Sequence, residues 1–218
     1  MNVINKKIII SIEGNIGSGK STLVKILSEK YNKNILFVDE PVSDWKEMKM
    51  DNKNIIEHFY LNKKKFGYLF QSTAFITRVK RLTEALQNDK YKIIITERSM
   101  ESDKYLFAKM LYEQHILNEL EWNVYNKWFD FFNIKINYFI YIRTDINNCI
   151  KRIINRNRDG ENKISKKYIE ELHNKHDDWL LTKDNSIVIN GNVNIFDEHI
   201  RKKQCEVIYE YLSKIIYQ

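Results

Sequence analysis

Along the chain, short runs of consecutive apolar residues alternate with longer stretches in which apolar positions recur every three to four residues. Runs of the first kind read as strands buried on both faces, and the longer stretches as helices laid against them. Their alternation predicts an α/β protein built on a parallel sheet. Strands are expected at Lys7–Glu13, Ile35–Asp39, Ile93–Glu97, Tyr138–Arg143 and Ile187–Ile189. Helices are expected at Lys20–Tyr31, over Asn54–Asn88 as one or two long elements, over Tyr105–Asn133 as a pair, and at Ile146–Arg156 and Lys166–Leu181. Asp197 is placed to cap a last helix that reaches about Tyr217. No Pro- or Gly-rich linker and no internal repeat interrupts this order, so residues 1–218 read as one domain.

Composition narrows the picture. The 218 residues are 43% hydrophobic and 30% charged, which excludes disordered and fibrous classes. No apolar run approaches the roughly 20 residues that span a bilayer, so no membrane partner is expected. Lys and Arg outnumber Asp and Glu by 36 to 29, a net charge of +7 that suits an anionic partner. Nucleic acid, an acidic surface and a phosphorylated small molecule all satisfy that charge. Cys149 and Cys205 lack metal-type spacing and read as reduced thiols, hence an intracellular, cytoplasmic setting. A strand that begins within the first seven residues leaves no room for a targeting peptide.

In open parallel sheets ligands bind beyond the carboxyl ends of the strands. The first three strands end in Glu13-Gly14, Asp39-Glu40-Pro41 and Glu97-Arg98-Ser99. Gly14-Asn15-Ile16-Gly17-Ser18-Gly19-Lys20-Ser21 matches G-x-x-x-x-G-K-[ST] between a strand and a helix, the context a phosphate loop requires. Its backbone N–H groups and the helix N-terminus behind them cradle phosphates. Lys20 is placed for the β- and γ-phosphates and the Ser21 hydroxyl for Mg²⁺. Residues Gly14 through Thr22 are the expected binding set for a nucleoside triphosphate.

Pro41 ends the second strand and biases Glu40 towards extended backbone, so Asp39 and Glu40 point opposite ways. One carboxylate can then face the phosphate loop as a general base; an ordinary polar strand end is the other reading. Glu97 can support Mg²⁺ beside Ser21, and Arg98 can neutralise a phosphoryl group or serve as a salt-bridged structural residue. The densest basic stretch, Lys151 to Arg158, puts Arg152 and Arg156 on one helical face and continues to Arg158. Residues from about 152 to 163 read as a lid that closes over phosphates, with a contact to a nucleic-acid backbone as the alternative.

Together these elements resemble the deoxynucleoside kinase family, most closely its deoxycytidine and deoxyguanosine kinase group. The resemblance runs from about Lys7 to the end. Beyond the phosphate loop it rests on Glu40-Pro-Val-Ser-Asp-Trp45, Phe70-Gln71, Glu97-Arg-Ser-Met-Glu-Ser-Asp103, Glu121-Trp122, the Arg152/Arg156/Arg158 lid and His173-Asn-Lys-His176-Asp-Asp-Trp179. It implies a P-loop kinase fold with a five-stranded parallel sheet, order 2-3-1-4-5, and transfer of the γ-phosphoryl of ATP or another triphosphate to the 5′-hydroxyl of a deoxynucleoside. By motif position Glu40 is the implied base with Arg98 beside it. Glu97 and Ser21 are the implied Mg²⁺-linked pair, and Lys20, Arg156 and Arg158 stabilise charge in transfer. The resemblance further implies that Gln71 reads the base edge, Phe107 stacks on it, and Trp45 and Phe70 line the pocket. It assigns the 3′-hydroxyl to Tyr60 and Glu161, and the donor's base to the loop Asn190–Phe196. A homodimer is the family's usual assembly.

Spacing adds to this. Gln71 is eleven residues after Tyr60 and Arg78 seven after Gln71, so on one unbroken helix they share a face within roughly 60°. A face that collects Tyr, Gln and Arg is natural for a pocket wall, although an amide on a helix usually meets solvent and aromatics there are usually core. Ala74, Arg78 and Asp103 resemble the trio of the deoxycytidine and deoxyguanosine group, which favours those bases over thymine in nucleotide salvage. A nucleoside monophosphate kinase such as thymidylate kinase is the nearest rival, and Glu40 would repel its acceptor's phosphate. A basic nucleic-acid-binding P-loop ATPase is the rival from another class, but no strip of aromatic and basic residues is evident, so nucleic acid is not an expected partner. A regulatory P-loop protein without turnover is a third. His173 and His176 lack a third ligand for zinc. Tyr112, Trp122, Tyr125, Trp128 and Phe129 exceed what one subunit is expected to bury, which points to a dimer.

Overall fold

The structure, a computed structural model, describes residues 7–31, 33–194 and 196–216. Strands β1 (Ile8–Glu13), β2 (Ile35–Val38), β3 (Ile93–Glu97), β4 (Tyr138–Arg143) and β5 (Ser186–Asn190) form one parallel sheet in the order β2-β3-β1-β4-β5. This is the expected order 2-3-1-4-5. The strands are joined by α1 (Lys20–Tyr31), α2 (Val42–Glu47), α3 (Ile55–Leu61), α4 (Lys63–Leu86), α5 (Met100–Ser102), α6 (Lys109–Glu113), α7 (Glu119–Phe132), α8 (Ile146–Arg156), α9 (Lys166–Leu180) and, after β5, α10 (Glu198–Ile216). A π-helical stretch, Asp103–Ala108, links α5 to α6.

Because side chains alternate across a strand, the isoleucine runs divide between the two faces of the sheet. Ile10, Ile12, Ile95 and Ile140 pack with Leu23 and Leu27 of α1 and Ile208 and Leu212 of α10. Ile9, Ile94, Phe139 and Tyr141 pack with Phe75, Val79 and Leu82 of α4, Phe129 of α7 and Leu180 of α9. Both faces are covered, which explains why the strands read as continuous apolar runs rather than as alternation.

The stretch Asn54–Asn88 is two helices. It breaks at Asn62 (φ −148°, ψ 83°), whose side chain accepts from the Lys65 N–H at 3.0 Å and starts α4. The helical arithmetic that joined Tyr60 to Gln71 therefore fails, while Gln71 and Arg78 do share the buried face of α4. Asn54 opens α3 with a capping box closed by Glu57. Short α2 and the hairpin pairing Lys49–Met50 with Lys53–Asn54 were not expected, since neither is long enough to show a period. Asp197 does cap the last helix, accepting from the Ile200 N–H at 3.2 Å; Tyr217 lies outside the described residues. Cys149 and Cys205 are free and buried. Among the described residues no helix is long and apolar enough to cross a membrane.

The aromatic surplus is smaller than expected. Tyr125 and Phe129 are inside the subunit, packed on Phe75, whereas Trp128 is half exposed beside the more exposed Phe131 and Leu120. Among the described residues the buried Tyr125 hydroxyl has no hydrogen-bond partner. Burying an unpaired hydroxyl is costly. Tyr125→Phe is thus expected to leave the melting temperature unchanged or raise it, by up to about 1 kcal/mol of stability, and a clear drop in the thermal melt would contradict this.

Candidate active site

Beyond the carboxyl ends of β1, β2 and β3 lies a cavity of about 790 Å³. The phosphate loop forms one end of it. Gly17 has φ +77°, and a Cβ there would stand 2.5 Å from the Cys149 carbonyl oxygen, so both conformation and close approach to α8 require glycine. The Ser18 carbonyl accepts from Thr144 Oγ1 at 3.0 Å and Arg152 Nη1 at 3.1 Å, tying the loop to the end of β4 and to α8. Lys20 Nζ donates to the carbonyls of Asn15 (2.8 Å) and Gly14 (3.1 Å). Burial and the nearby Arg98 charge lower its ammonium to about 7. Ile16 through Thr22 border the cavity. Gly14 and Asn15 do not; they stand behind the loop, where Asn15 Nδ2 donates to the Ile169 carbonyl at 2.8 Å.

At the other end Asp39 is exposed and Glu40 turns inward, as the alternation requires. Glu40 Oε1 lies 3.4 Å from Arg98 Nε and 3.3 Å from Arg78 Nη2. Burial opposes the Glu40 charge, but Arg98, Arg78 and Lys20 outweigh it and hold the carboxyl below its usual range. Arg98 follows β3 at φ +65°, a rare conformation for a residue with a side chain, and its guanidinium sits 4.7 Å above the Phe107 ring. Arg78 pairs with Asp103 at 2.8 and 3.3 Å and donates to the Glu97 carbonyl at 2.7 Å. Asp103 and Phe107 both come from the π-helical stretch, a distortion often found at functional sites. Trp45, anchored by its indole N–H on Thr77 at 3.0 Å, meets Phe70 edge to face. Gln71 is buried at the wall, and its amide bonds no other described residue.

The lid residues meet at Glu161. Arg156 grips its carboxylate through Nε at 3.0 Å and Nη2 at 2.6 Å, and Arg158 approaches to 3.4 Å. Arg152 instead holds the carbonyls of Ser18 and Val193. Tyr60 reaches the same cavity from α3, independently of α4. Beyond the phosphate loop Gly191, Asn192, Val193, Asn194 and Phe196 border the cavity; Ile195 lies outside the described residues. The Ser21 hydroxyl donates to Glu97 Oε1 at 2.7 Å. One hydroxyl and one carboxylate, both hard oxygen donors beside a phosphate loop, fit an ion such as Mg²⁺ that keeps most of its water. Burial and the Glu40 charge raise the Glu97 carboxyl, against Lys20 and Arg98. Among the described residues no cluster of three His, Cys, Asp or Glu could hold a metal, His173 and His176 included.

Sequence reasoning overlooked Thr144 and Tyr168. Thr144 follows β4, so inspecting every strand's carboxyl end would have found it. Tyr168 borders the cavity from α9 with the Lys63 ammonium 3.8 Å over its ring, and nothing local to its sequence marks it.

The family model for deoxynucleoside kinases matches residues 10–216. The chain belongs to the deoxynucleoside kinase family. The kinase is 38% identical over 218 residues to the "Probable deoxycytidine kinase" of Fowlpox virus (strain NVSL), covering 94% of this chain and 88% of that protein. It is 35% identical over 195 residues to Rattus norvegicus deoxycytidine kinase, covering 79% and 75%. Against the mitochondrial deoxyguanosine kinase of Xenopus laevis the identity is 30% over 207 residues, covering 85% and 78%.

The Arg78–Asp103 pair in this kinase is almost wholly buried, at 2% and 4% side-chain exposure. Removing Asp103 takes the nearer carboxylate from Arg78 and leaves it only Glu40 at 3.3 Å, whereas replacing both removes the unbalanced cation and leaves Glu40 to Arg98. Asp103→Asn is expected to lower stability by about 3 kcal/mol, and Arg78→Met with Asp103→Ala to recover part of that loss. Equal melts for the single and double variants would contradict the expectation.

Proposed function

We propose that this kinase, as a single domain, transfers the γ-phosphoryl group of ATP or another nucleoside triphosphate to the 5′-hydroxyl of a deoxynucleoside, for nucleotide salvage. The observation that carries this reading is Glu40: a carboxylate kept ionised by two buried guanidiniums, in the same cavity as a phosphate loop. Glu40 takes the proton as the 5′-oxygen forms its bond to γ-phosphorus and the bond to the β-phosphate oxygen breaks. Lys20, Arg98, Arg156 and Arg158 supply the cations that offset charge on the moving group. Ser21 and Glu97 would hold Mg²⁺, which would supply neutralisation of the donor's phosphate oxygens when bound.

The sugar lies by Tyr60 and Glu161, and the base between Phe107 and the wall formed by Trp45, Phe70 and Gln71. The loop from Asn190 to Phe196 meets the donor's base. Arg78 and Asp103, with Ala74 bordering the same cavity, favour deoxycytidine and purine deoxynucleosides over thymidine. Lys20, Arg78 and Arg98 are buried where they border the cavity, and Arg156 and Arg158 turn onto Glu161 at its rim, which favours a small anionic ligand over a nucleic-acid strand. Two free buried thiols support a cytoplasmic setting.

The test is an ATP-consumption assay with deoxycytidine, deoxyadenosine, deoxyguanosine, thymidine and their monophosphates. Turnover is expected with the nucleosides, thymidine lowest, and Glu40→Gln should cut kcat by about 10²–10⁴. Turnover with monophosphates alone would shift the reading to a monophosphate kinase, and stimulation by DNA or RNA to a nucleic-acid ATPase.

We also propose a homodimer. Leu69 and Ile76 of α4 and Leu120, Trp128 and Phe131 of α7 are exposed, a larger apolar display than isolated surface residues need. Light scattering at micromolar concentration should give twice the 26.4 kDa chain mass; a monomeric mass would reject the dimer.

A further inference from the structure

Behind Arg98, on the side away from Glu40, stand two groups that the transfer reaction does not use. Glu13 ends β1 on the face that carries Ile9 and Ser11, and its carboxyl is fully buried. Its Oε1 accepts two hydroxyl hydrogens, from Ser11 at 2.7 Å and Ser99 at 2.6 Å. Among the described residues its Oε2 has no hydrogen-bond partner, and the Arg98 Nη1 is 3.9 Å away. The second group is His176 of α9, also fully buried and stacked on Tyr141. Its Nδ1 lies 2.6 Å from the Leu172 carbonyl, an acceptor, so the ring proton is on Nδ1 and the Nε2 lone pair faces Arg98 Nη1 at 3.5 Å. Burial and the Arg98 charge keep His176 neutral by pushing its pKa well below the usual value.

We propose that Glu13 and His176 are positioning residues that hold the Arg98 guanidinium from behind, so that the cation stays at the transfer point when Glu40 turns to the acceptor hydroxyl. The need for such a hold is visible in the backbone. Arg98 sits at φ +65° and contacts Glu40 through one nitrogen, Nε, at 3.4 Å. Once Glu40 bonds a substrate, that contact is shared or lost. Nη1 then has the His176 Nε2 at 3.5 Å and the Glu13 carboxyl at 3.9 Å, an ion-pair rather than a hydrogen-bond distance, and Phe107 supports the guanidinium face at 4.7 Å. Glu13 also fixes the backbone on the far side of Arg98: the Ser99 hydroxyl that donates to Glu13 accepts from the Ser102 N–H at 3.2 Å, the cap of α5. A single buried carboxyl thereby sets both the side chain of Arg98 and the start of the helix that follows it.

The inference rests on the role proposed above for Arg98, and the experiment separates the two. In Glu13→Gln the two hydroxyls still hold the amide oxygen, and the amide NH₂ replaces Oε2 and points hydrogens at Arg98. In His176→Phe the stack on Tyr141 survives without an acceptor, while His176→Gln restores an acceptor near the Nε2 position. Steady-state kinetics with deoxycytidine and ATP should show kcat reduced on the order of tenfold in Glu13→Gln and in His176→Phe. KM for both substrates should stay within about twofold of the parent, and His176→Gln should recover most of kcat. In an Arg98→Ala background, Glu13→Gln should add no further loss, because the residue it acts through is gone. Unchanged kcat in Glu13→Gln and His176→Phe, alongside a defective Arg98→Ala, would overturn the hold while sparing Arg98's role. An equal loss from Glu13→Gln with and without Arg98 would also overturn it. Full activity of Arg98→Ala would remove Arg98's role and the hold together. Should Glu13→Gln fail to fold by thermal melt, the Phe and Gln variants of His176 decide the matter.

Discussion

The site is organised by the burial of two guanidiniums, Arg78 and Arg98, that share one carboxylate oxygen of Glu40. Neither arginine exceeds 4% exposure, so neither is stable there without acceptors on several sides. Apart from His176 of α9, the acceptors come from the ends of three strands and the helix after the third. Glu40 follows β2, Glu13 ends β1, the Glu97 carbonyl ends β3, and Asp103 comes from the helix after β3. Adjacent parallel strands in the order β2-β3-β1 bring their carboxyl ends side by side, so the sheet's topology assembles this charge cluster. A buried ion cluster is a poor source of stability compared with apolar packing of the same volume. Its presence here is understandable as preorganised electrostatics for a reaction that moves negative charge.

The phosphate loop obeys the same constraint from the opposite side. Its shape is set from outside the motif by the Thr144 hydroxyl, the Arg152 guanidinium and the Ile169 carbonyl. Lys20 donates to the loop's own carbonyls. Burial among cations costs that ammonium part of its basicity, and a polyanion would restore it. The loop and the guanidinium cluster are thus two halves of one electrostatic arrangement, joined through Lys20, Glu97 and Glu40.

Much of this was legible in residue order. Strands buried on both faces announce themselves as apolar runs, and the phosphate loop, the Glu40-Pro41 strand end and Glu97-Arg98 all lie where a parallel sheet puts its ligands. What escaped notice had no local signature. The break at Asn62 depends on one capping side chain, in a stretch whose periodicity continues on both sides. The π-helical stretch Asp103–Ala108 carries the same apolar spacing as an α-helix would. Tyr60 reached the expected cavity for a reason other than the one the spacing offered. The deepest groups, Glu13 and His176, are far apart in sequence and meet only because β1 and α9 pack on the same face of the sheet.

The two arginines are not equivalent, and the difference follows from counting donors. A guanidinium has five N–H groups. Arg78 spends its own on Asp103 through two nitrogens, on the Glu97 carbonyl and on Glu40, with all four of these contacts at or below 3.3 Å. Releasing it would strand Asp103 as a buried, unpaired carboxylate, so it behaves as a fixed wall. Arg98 has contacts of 3.4, 3.5 and 3.9 Å and an aromatic face, all longer than a well-formed hydrogen bond. Charge and packing hold it in place while its N–H groups remain weakly used. A phosphoryl oxygen that enters the cavity can take those hydrogens without displacing a strong partner. In such a site the loosely bonded guanidinium is the one suited to meet a transient charge, and the tightly bonded one is suited to read a stable shape.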